Sequence, residues 1–398
     1  MGGNVTGINK RSGEQLRAEK IPIKDIGRSN FTKKFISIFK EINVLYKKAY
    51  GKPLWVNEKN IENGLQFNGS TSFIFNGDIP DEEIVKYKTH AGDLDIIVPD
   101  DTKGNVWRLL DKLEGETILK GVEYIGSNKE TVSSIGEQIN SVFRVDFGGG
   151  LIVAAQVDWE FLEMEDDIGT PSQWAKFSHS SSFDDAKAGI KALHHKYLIQ
   201  SIIGGASIRD DIVIATPSST PDKIKISGNK TDTLPRMLKF SVGRGIRTAY
   251  DPMYNENGEP IFLDGKQVYK ARDSKTDVYV TIVKEIYKLA FGRLEDSPTD
   301  VEKFGSFVGI IELMHSYLDK TQIQHTTLRY EEKLFDKFAQ VIERGDPKGD
   351  FEVKIAGYAY YCKSFGVKQN QKIIDAYYSN FPDRDKDSIF TEALRRIL

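Results

Sequence analysis

The stretch HAGDLDIIVPDD at residues 90–101 sets Asp93 and Asp95 one residue apart, directly before the apolar run Ile96-Ile97-Val98. In a strand, positions i and i+2 point to the same face. Two carboxylates side by side on one face repel each other unless a cation sits between them or water surrounds them. The spacing thus allows a solvated strand end or a cation site. Two further pieces bear on the choice. Gly69-Ser70 forms a small-residue turn after the β-like run ending at Phe67, and Asp158 lies in Gln156-Val157-Asp158-Trp159-Glu160. Glu160 shares the strand face of Asp158 and is a rival third acid, either assisting or lying just beyond the site. Asp146, beside a glycine turn, reads as a solvated turn residue.

These residues need elements to hold them. From Asn30, apolar residues at 31, 35, 38, 39, 42, 45 and 46 make a helical stripe with a lysine-rich outer face. Asp81–Tyr87 reads as a short helix inside an insertion, Asp93–Val98 as a strand and 105–114 as a helix. SVFRVDFGGGLIVAAQVDWEFLE is a hairpin around Gly148-Gly149-Gly150. Asp185–Ile203 reads as one continuous helix stopped by Gly204-Gly205. Four regions follow: a loosely held arm over 1–29, an α+β domain over 30–205, a β-containing middle region over 206–280 and a helical region over 281–398. The expected fold class is α+β, with a mixed, antiparallel-rich sheet.

Composition narrows the function classes. A chain of 398 residues with 39% hydrophobic and 28% charged residues is an ordinary globular composition, and a net charge of −3 leaves any nucleic-acid binding to a local patch. The single cysteine, Cys362, excludes an internal disulfide and a cysteine-rich zinc site and suits a reducing, cytoplasmic setting. No apolar run reaches the ~18 residues of a membrane span. The opening MGGNVT fits the loose N-myristoylation pattern at Gly2 and Thr6, which a flexible start satisfies equally. Between Asp222 and Arg247 stand seven basic residues, Lys223, Lys225, Lys230, Arg236, Lys239, Arg244 and Arg247, against two aspartates. That segment suits a phosphate-rich acceptor or is simply an exposed basic hairpin. His194-His195 lacks a partner at zinc-site spacing and reads as packing or capping.

Taken in chain order, Gly69-Ser70, Asp93-Leu94-Asp95 and Asp158 resemble the nucleotidyltransferase superfamily typified by DNA polymerase β. The wording GDLDIIV followed by Pro is closest to the polymerase β branch. The resemblance covers roughly residues 60–205, and residues 76–90 stand as an insertion over the site. It implies a polymerase-β-type core in which Asp93, Asp95 and Asp158 are catalytic and bind two Mg²⁺ ions (Mn²⁺ being an alternative). Gly69 and Ser70 then hold the triphosphate of an NTP, with ATP favoured. It also implies that the helix after the third acid faces the nucleotide, making Lys196, or Lys191, a phosphate contact. Two Mg²⁺ about 4 Å apart stabilise both the attacking and the leaving oxygen of such a transfer. Expected acceptors are an RNA or other nucleic-acid end contacted by 222–247, then a nucleotide, small molecule or protein. A nucleotide second-messenger synthase and a catalytically silent scaffold on the same fold are the alternatives.

Overall fold

The structure is a computed structural model that describes residues 5–128, 138–167, 169–179, 181–190, 192–207, 212–226, 240–241, 245–248, 250–271, 278–291, 298–344 and 349–380. The chain divides into two compact units, Met1–Lys187 and Ala188–Leu398.

Unit one is built on an eight-stranded mixed sheet. Its strands are β1 (Thr6–Ile8), β2 (Gln15–Arg17), β3 (Phe67–Asn68), β4 (Leu94–Pro99), β5 (Thr117–Leu119), β6 (Val122–Ser127), β7 (Gln138–Asp146) and β8 (Ile152–Leu162). The order across the sheet is β2-β1-β6-β7-β8-β4-β3, with β5 pairing β6 off the path. β4 runs parallel to β8 and antiparallel to β3. The β7–β8 hairpin is closed by Asp146, whose Oδ1 accepts from the Gly148 amide at 2.8 Å, so this acid is a turn residue.

Three helices support the strands that carry the acids. α1 (Arg28–Tyr50) buries Phe31, Phe35, Ile38, Phe39, Ile42 and Tyr46, the expected stripe, and Gly51 ends it in the left-handed conformation. Inside that stripe Asn43 is also buried. It accepts from the Trp55 amide at 2.9 Å and donates to the Trp55 carbonyl at 3.1 Å. Trp55 in turn donates its indole N–H to Ile97 of β4 at 2.9 Å. A chain of hydrogen bonds thus ties the helix to the strand that bears Asp95. α2 (Asp81–Tyr87) lies in the insertion, and α3 (Lys103–Leu113) follows β4.

Residues 5–29 are not a loose arm. β1 pairs β2 throughout and meets β6 at Ile8–Ser127, while Ile21, Ile23 and Ile26 join the core. Three-residue strands are too short to show alternation, which is why their pattern is silent. The expected helix over 185–203 is two elements, Phe183–Lys187 and Ala192–Ser207, with Gly189 at φ +68 between them. The second runs through Gly204-Gly205 to Ser207 and belongs to unit two, so the first unit ends before residue 205.

Unit two contains a three-stranded sheet, a four-stranded sheet and helices from Val283 onward, including Phe307–Tyr317, Lys320–Arg344, Gly349–Phe365 and Gln371–Asn380. The expected middle and helical regions, 206–280 and 281–398, cluster together with the helix 192–207. His194 is buried against Tyr330, its Nδ1 2.5 Å from the phenol oxygen. His195 is buried on the Phe304 carbonyl at 2.8 Å. Burial holds the His195 imidazole down to about 4, so it is neutral and donates that bond. Among the described residues, no helix is long and apolar enough to cross a membrane.

Candidate metal centre

The sheet register assembles the site. In the parallel β4–β8 pair, Asp95 stands opposite Asp158 and Ile97 opposite Glu160. On the other side of β4, Asn68 stands opposite Asp95. Asp93 sits in the residue just before β4. One ligand oxygen from each of Asp93, Asp95 and Asp158 lies within 4.8 Å of the others. The structure therefore brings together the three acids that the sequence set apart by spacing.

Most of this charge is out of water. Asp95 is 5% exposed, Asp158 4% and Glu160 3%. Burial first, then Asp93, Glu160 and Asp158, raise the Asp95 carboxyl well above the ordinary carboxylate range. Asp158 is pushed up to about 7, by burial and then by Asp93. Two side-chain amides oppose that rise by donating to Asp158 Oδ1, Asn140 Nδ2 at 2.7 Å and Gln156 Nε2 at 2.8 Å. Without a counter-ion, the Asp95 and Asp158 carboxyls keep their protons to higher pH than ordinary carboxylates do. Three hard oxygen donors in one small space fit a divalent cation of the Mg²⁺ type.

Gly69 follows β3 and opens a 3₁₀ turn, Gly69–Phe75. Its φ is +61, and a Cβ there would overlap Asp95 Oδ2 and stand 2.6 Å from Cγ. Glycine is required at this position because the Asp95 carboxylate fills the space a side chain would need. The close approach expected of a phosphate is thus made first by the Asp95 carboxylate. Ser70 is half-buried, and its hydroxyl accepts from Lys88 Nζ at 3.0 Å. Lys88 ends the insertion, whose other end is gripped by Arg28. That guanidinium donates to the Ile74 carbonyl at 2.7 Å and Asp81 at 2.9 Å, and also to the Asn76 carbonyl.

Glu160 belongs to the same acidic floor. Asn68 Nδ2 donates to its Oε2 at 3.2 Å and to the Ala175 carbonyl at 2.9 Å. His179, at the end of α4 (Gln173–His179), pairs with Glu160 Oε1. Lys176 of α4 donates to the carbonyls of Phe67 at 2.6 Å and Leu65 at 3.1 Å, and burial brings its ammonium down to about 8.

Lys196 lies half-buried on the helix Ala192–Ser207 of unit two, not among the groups gathered in unit one, and Lys191 lies outside the described residues. Of the basic segment, Lys223 and Lys225 are exposed, while Lys230, Arg236, Lys239 and Arg244 lie outside the described residues. Arg247 is placed as backbone, in a strand opposite Tyr279. Gly2 also lies outside the described residues.

Asn68, Lys88, Asn140, Lys176 and His179 were not singled out from the sequence. Asn68 alone had an available signal, since it directly precedes the Gly69-Ser70 turn. No protein-family model, curated protein or solved structure matches the chain.

Proposed function

We propose that the protein is a Mg²⁺-dependent nucleotidyltransferase with a polymerase-β-type core, moving a nucleoside monophosphate from an NTP to a hydroxyl with release of pyrophosphate. One observation carries the proposal. Asp93, Asp95 and Asp158 converge to within 4.8 Å on adjacent strands, beside a glycine turn shaped around Asp95. Divalent cations held by these acids supply charge neutralisation for the attacking and leaving oxygens.

The chain's own groups do the rest. Asn140 and Gln156 hold Asp158 in one rotamer by both donating to its Oδ1, which leaves its other oxygen for the cation. The Gly69-Ser70 turn presents its hydroxyl to the triphosphate. Lys88, already on Ser70 at 3.0 Å, places an ammonium there within unit one, the task the resemblance assigns to Lys196. Arg28 fixes the insertion that delivers Lys88. The acceptor is an RNA or other nucleic-acid end, a choice supported by the basic segment 222–247.

The test is incubation of the full chain with each α-labelled NTP and Mg²⁺, with and without bulk RNA, followed by product separation. Label should enter a larger product in an RNA-dependent manner, and Asp95→Asn should abolish it. Oligonucleotide formed from NTP alone would move the assignment to second-messenger synthesis. No label transfer under any of these conditions would refute transfer to RNA or to a second NTP and would leave a small molecule or protein as acceptor.

A further inference from the structure

The three-acid set leaves one strong ligand set beside it unused. Asp95, Glu160 and His179 also bring one ligand atom each to within 4.8 Å of one another. Asp95 is common to both sets. We propose that Asp95, Glu160 and His179 form a second cation site, sharing the Asp95 carboxylate as a bridge and taking a transition-metal ion such as Mn²⁺ in preference to Mg²⁺.

Three observations support it beyond the proximity of the acids. First, the donor set is mixed. An imidazole nitrogen with two carboxylates suits a first-row transition metal, whereas Mg²⁺ favours oxygen ligands alone. Second, His179 Nδ1 is buried against Glu160 Oε1 at ion-pair range, yet it makes no hydrogen bond of acceptable geometry. The two atoms stand in ion-pair contact, closer than neighbouring ligands of one ion, so a bound ion would have to part them to a spacing of about 3 Å. Third, Asn68 is wholly buried on Glu160, and its amide oxygen has no hydrogen-bond partner. Buried polar atoms are rarely left so.

The surrounding bonds orient this set as an outer shell would. Asn68 occupies Oε2 of Glu160, leaving Oε1 for the ion. The same Asn68 amide is anchored on Ala175 of α4, the helix that carries His179, so the ligands from β8 and α4 are braced against each other. Ligand atoms around an octahedral ion stand about 3–4 Å apart for metal–ligand distances near 2.1 Å, which a cluster within 4.8 Å reaches by small side-chain shifts. The Lys176 ammonium is committed to the carbonyls of Phe67 and Leu65.

This inference rests on Asp95 being a metal ligand, as in the proposed function, but its test needs neither nucleotide nor turnover. The metal-free full chain is titrated with Mn²⁺, read by equilibrium dialysis and by electron spin-echo spectroscopy, which detects ¹⁴N ligated to Mn²⁺. Without nucleotide, whose phosphates complete the second ion of the three-acid set, one ion on that set, one on the new site and a nitrogen signal are expected. His179→Gln should bind one ion and lose the nitrogen signal. Asp93→Asn should also bind one ion but keep it. Glu160→Gln, a second route to the same site, should match His179→Gln. Asn68→Ala should weaken the nitrogen-ligated ion by ~10–100-fold. The proposal is overturned by a wild type that binds a single ion without nitrogen coupling, or by a His179→Gln protein that still binds two. A single ion lost in Asp93→Asn would leave the three-acid site standing while removing this one.

Discussion

Replacing Asp158 by Asn removes a buried negative charge at nearly constant side-chain size, and in the metal-free protein it should be stabilising. The Asp158 carboxyl rises from an ordinary 3.8 to about 7 on folding. That difference of roughly three units corresponds to at most ~4 kcal/mol. A carboxyl whose folded pKa is raised binds its proton more tightly when folded. Its contribution to stability is therefore greatest below pH ~4 and is lost as the pH climbs to about 7, with no further change above. In the Asp158→Asn protein the new amide oxygen can keep the bonds from Asn140 and Gln156, while the amide nitrogen faces the other acids as a donor. We expect a gain of ~2–4 kcal/mol at pH 8, a rise in Tm of roughly 5–15 °C for a unit of this size, and little difference near pH 4.5. The assay is thermal unfolding of chelator-treated wild type and Asp158→Asn across pH 4.5–9, repeated with Mg²⁺. Mg²⁺ should raise the wild-type Tm and move the variant much less. A variant less stable than wild type at pH 8, or a gap that does not change with pH, would show that the Asp158 carboxylate is not destabilising in the metal-free protein.

Other substitutions should separate the roles of the remaining groups. Gly69→Val should cost ~1–3 kcal/mol from the positive φ alone and should also displace Asp95, so calorimetry ought to show lost Mg²⁺ binding as well as weaker binding of a non-hydrolysable NTP. Unchanged metal affinity would show that the turn does not support Asp95. Asp93→Asn or Asp95→Asn should keep the circular dichroism spectrum and lower turnover by several orders of magnitude, and near-wild-type transfer at saturating Mg²⁺ would count against the metal assignment. Lys88→Ala should weaken NTP binding without reducing Mg²⁺ affinity, checked by the same titrations; equal loss of both would make Lys88 a structural strut. Arg244→Gln combined with Arg247→Gln should weaken RNA binding and make its log-affinity against log-salt slope shallower by up to about one unit per lost phosphate contact. An unaltered slope would remove these two residues from the acceptor surface.

The site's acids were legible because strand chemistry is local. An i, i+2 pair before an apolar run, and a third acid on a β-rich hairpin arm, both follow from period-two geometry, and the Asp95–Asp158 register joins them. The α1 stripe was legible for the matching reason, a long run with period near 3.6. What stayed hidden depends on contacts between distant segments. His179 reaches Glu160 from a separate helix, and Lys88 reaches Ser70 across the insertion. The need for glycine at 69 comes from the Asp95 side chain, which no local pattern reports. β1 and β2 hold only three residues each and are stabilised by pairing and by Gly126, where a Cβ would run into the Ile8 backbone. The Gly204-Gly205 stop fails because that helix continues to Ser207 in spite of glycine's weak helix propensity.

Nucleotidyl transfer at Asp93, Asp95 and Asp158 is tested most directly by the identity of the leaving group. Purified protein, Mg²⁺, the preferred NTP and acceptor are incubated, and pyrophosphate, orthophosphate and incorporated label are measured in one reaction. One pyrophosphate is expected for each nucleotide incorporated, with both products absent in Asp95→Asn. Orthophosphate release without nucleotide incorporation, or pyrophosphate release that survives loss of Asp95, would contradict nucleotidyl transfer at these acids.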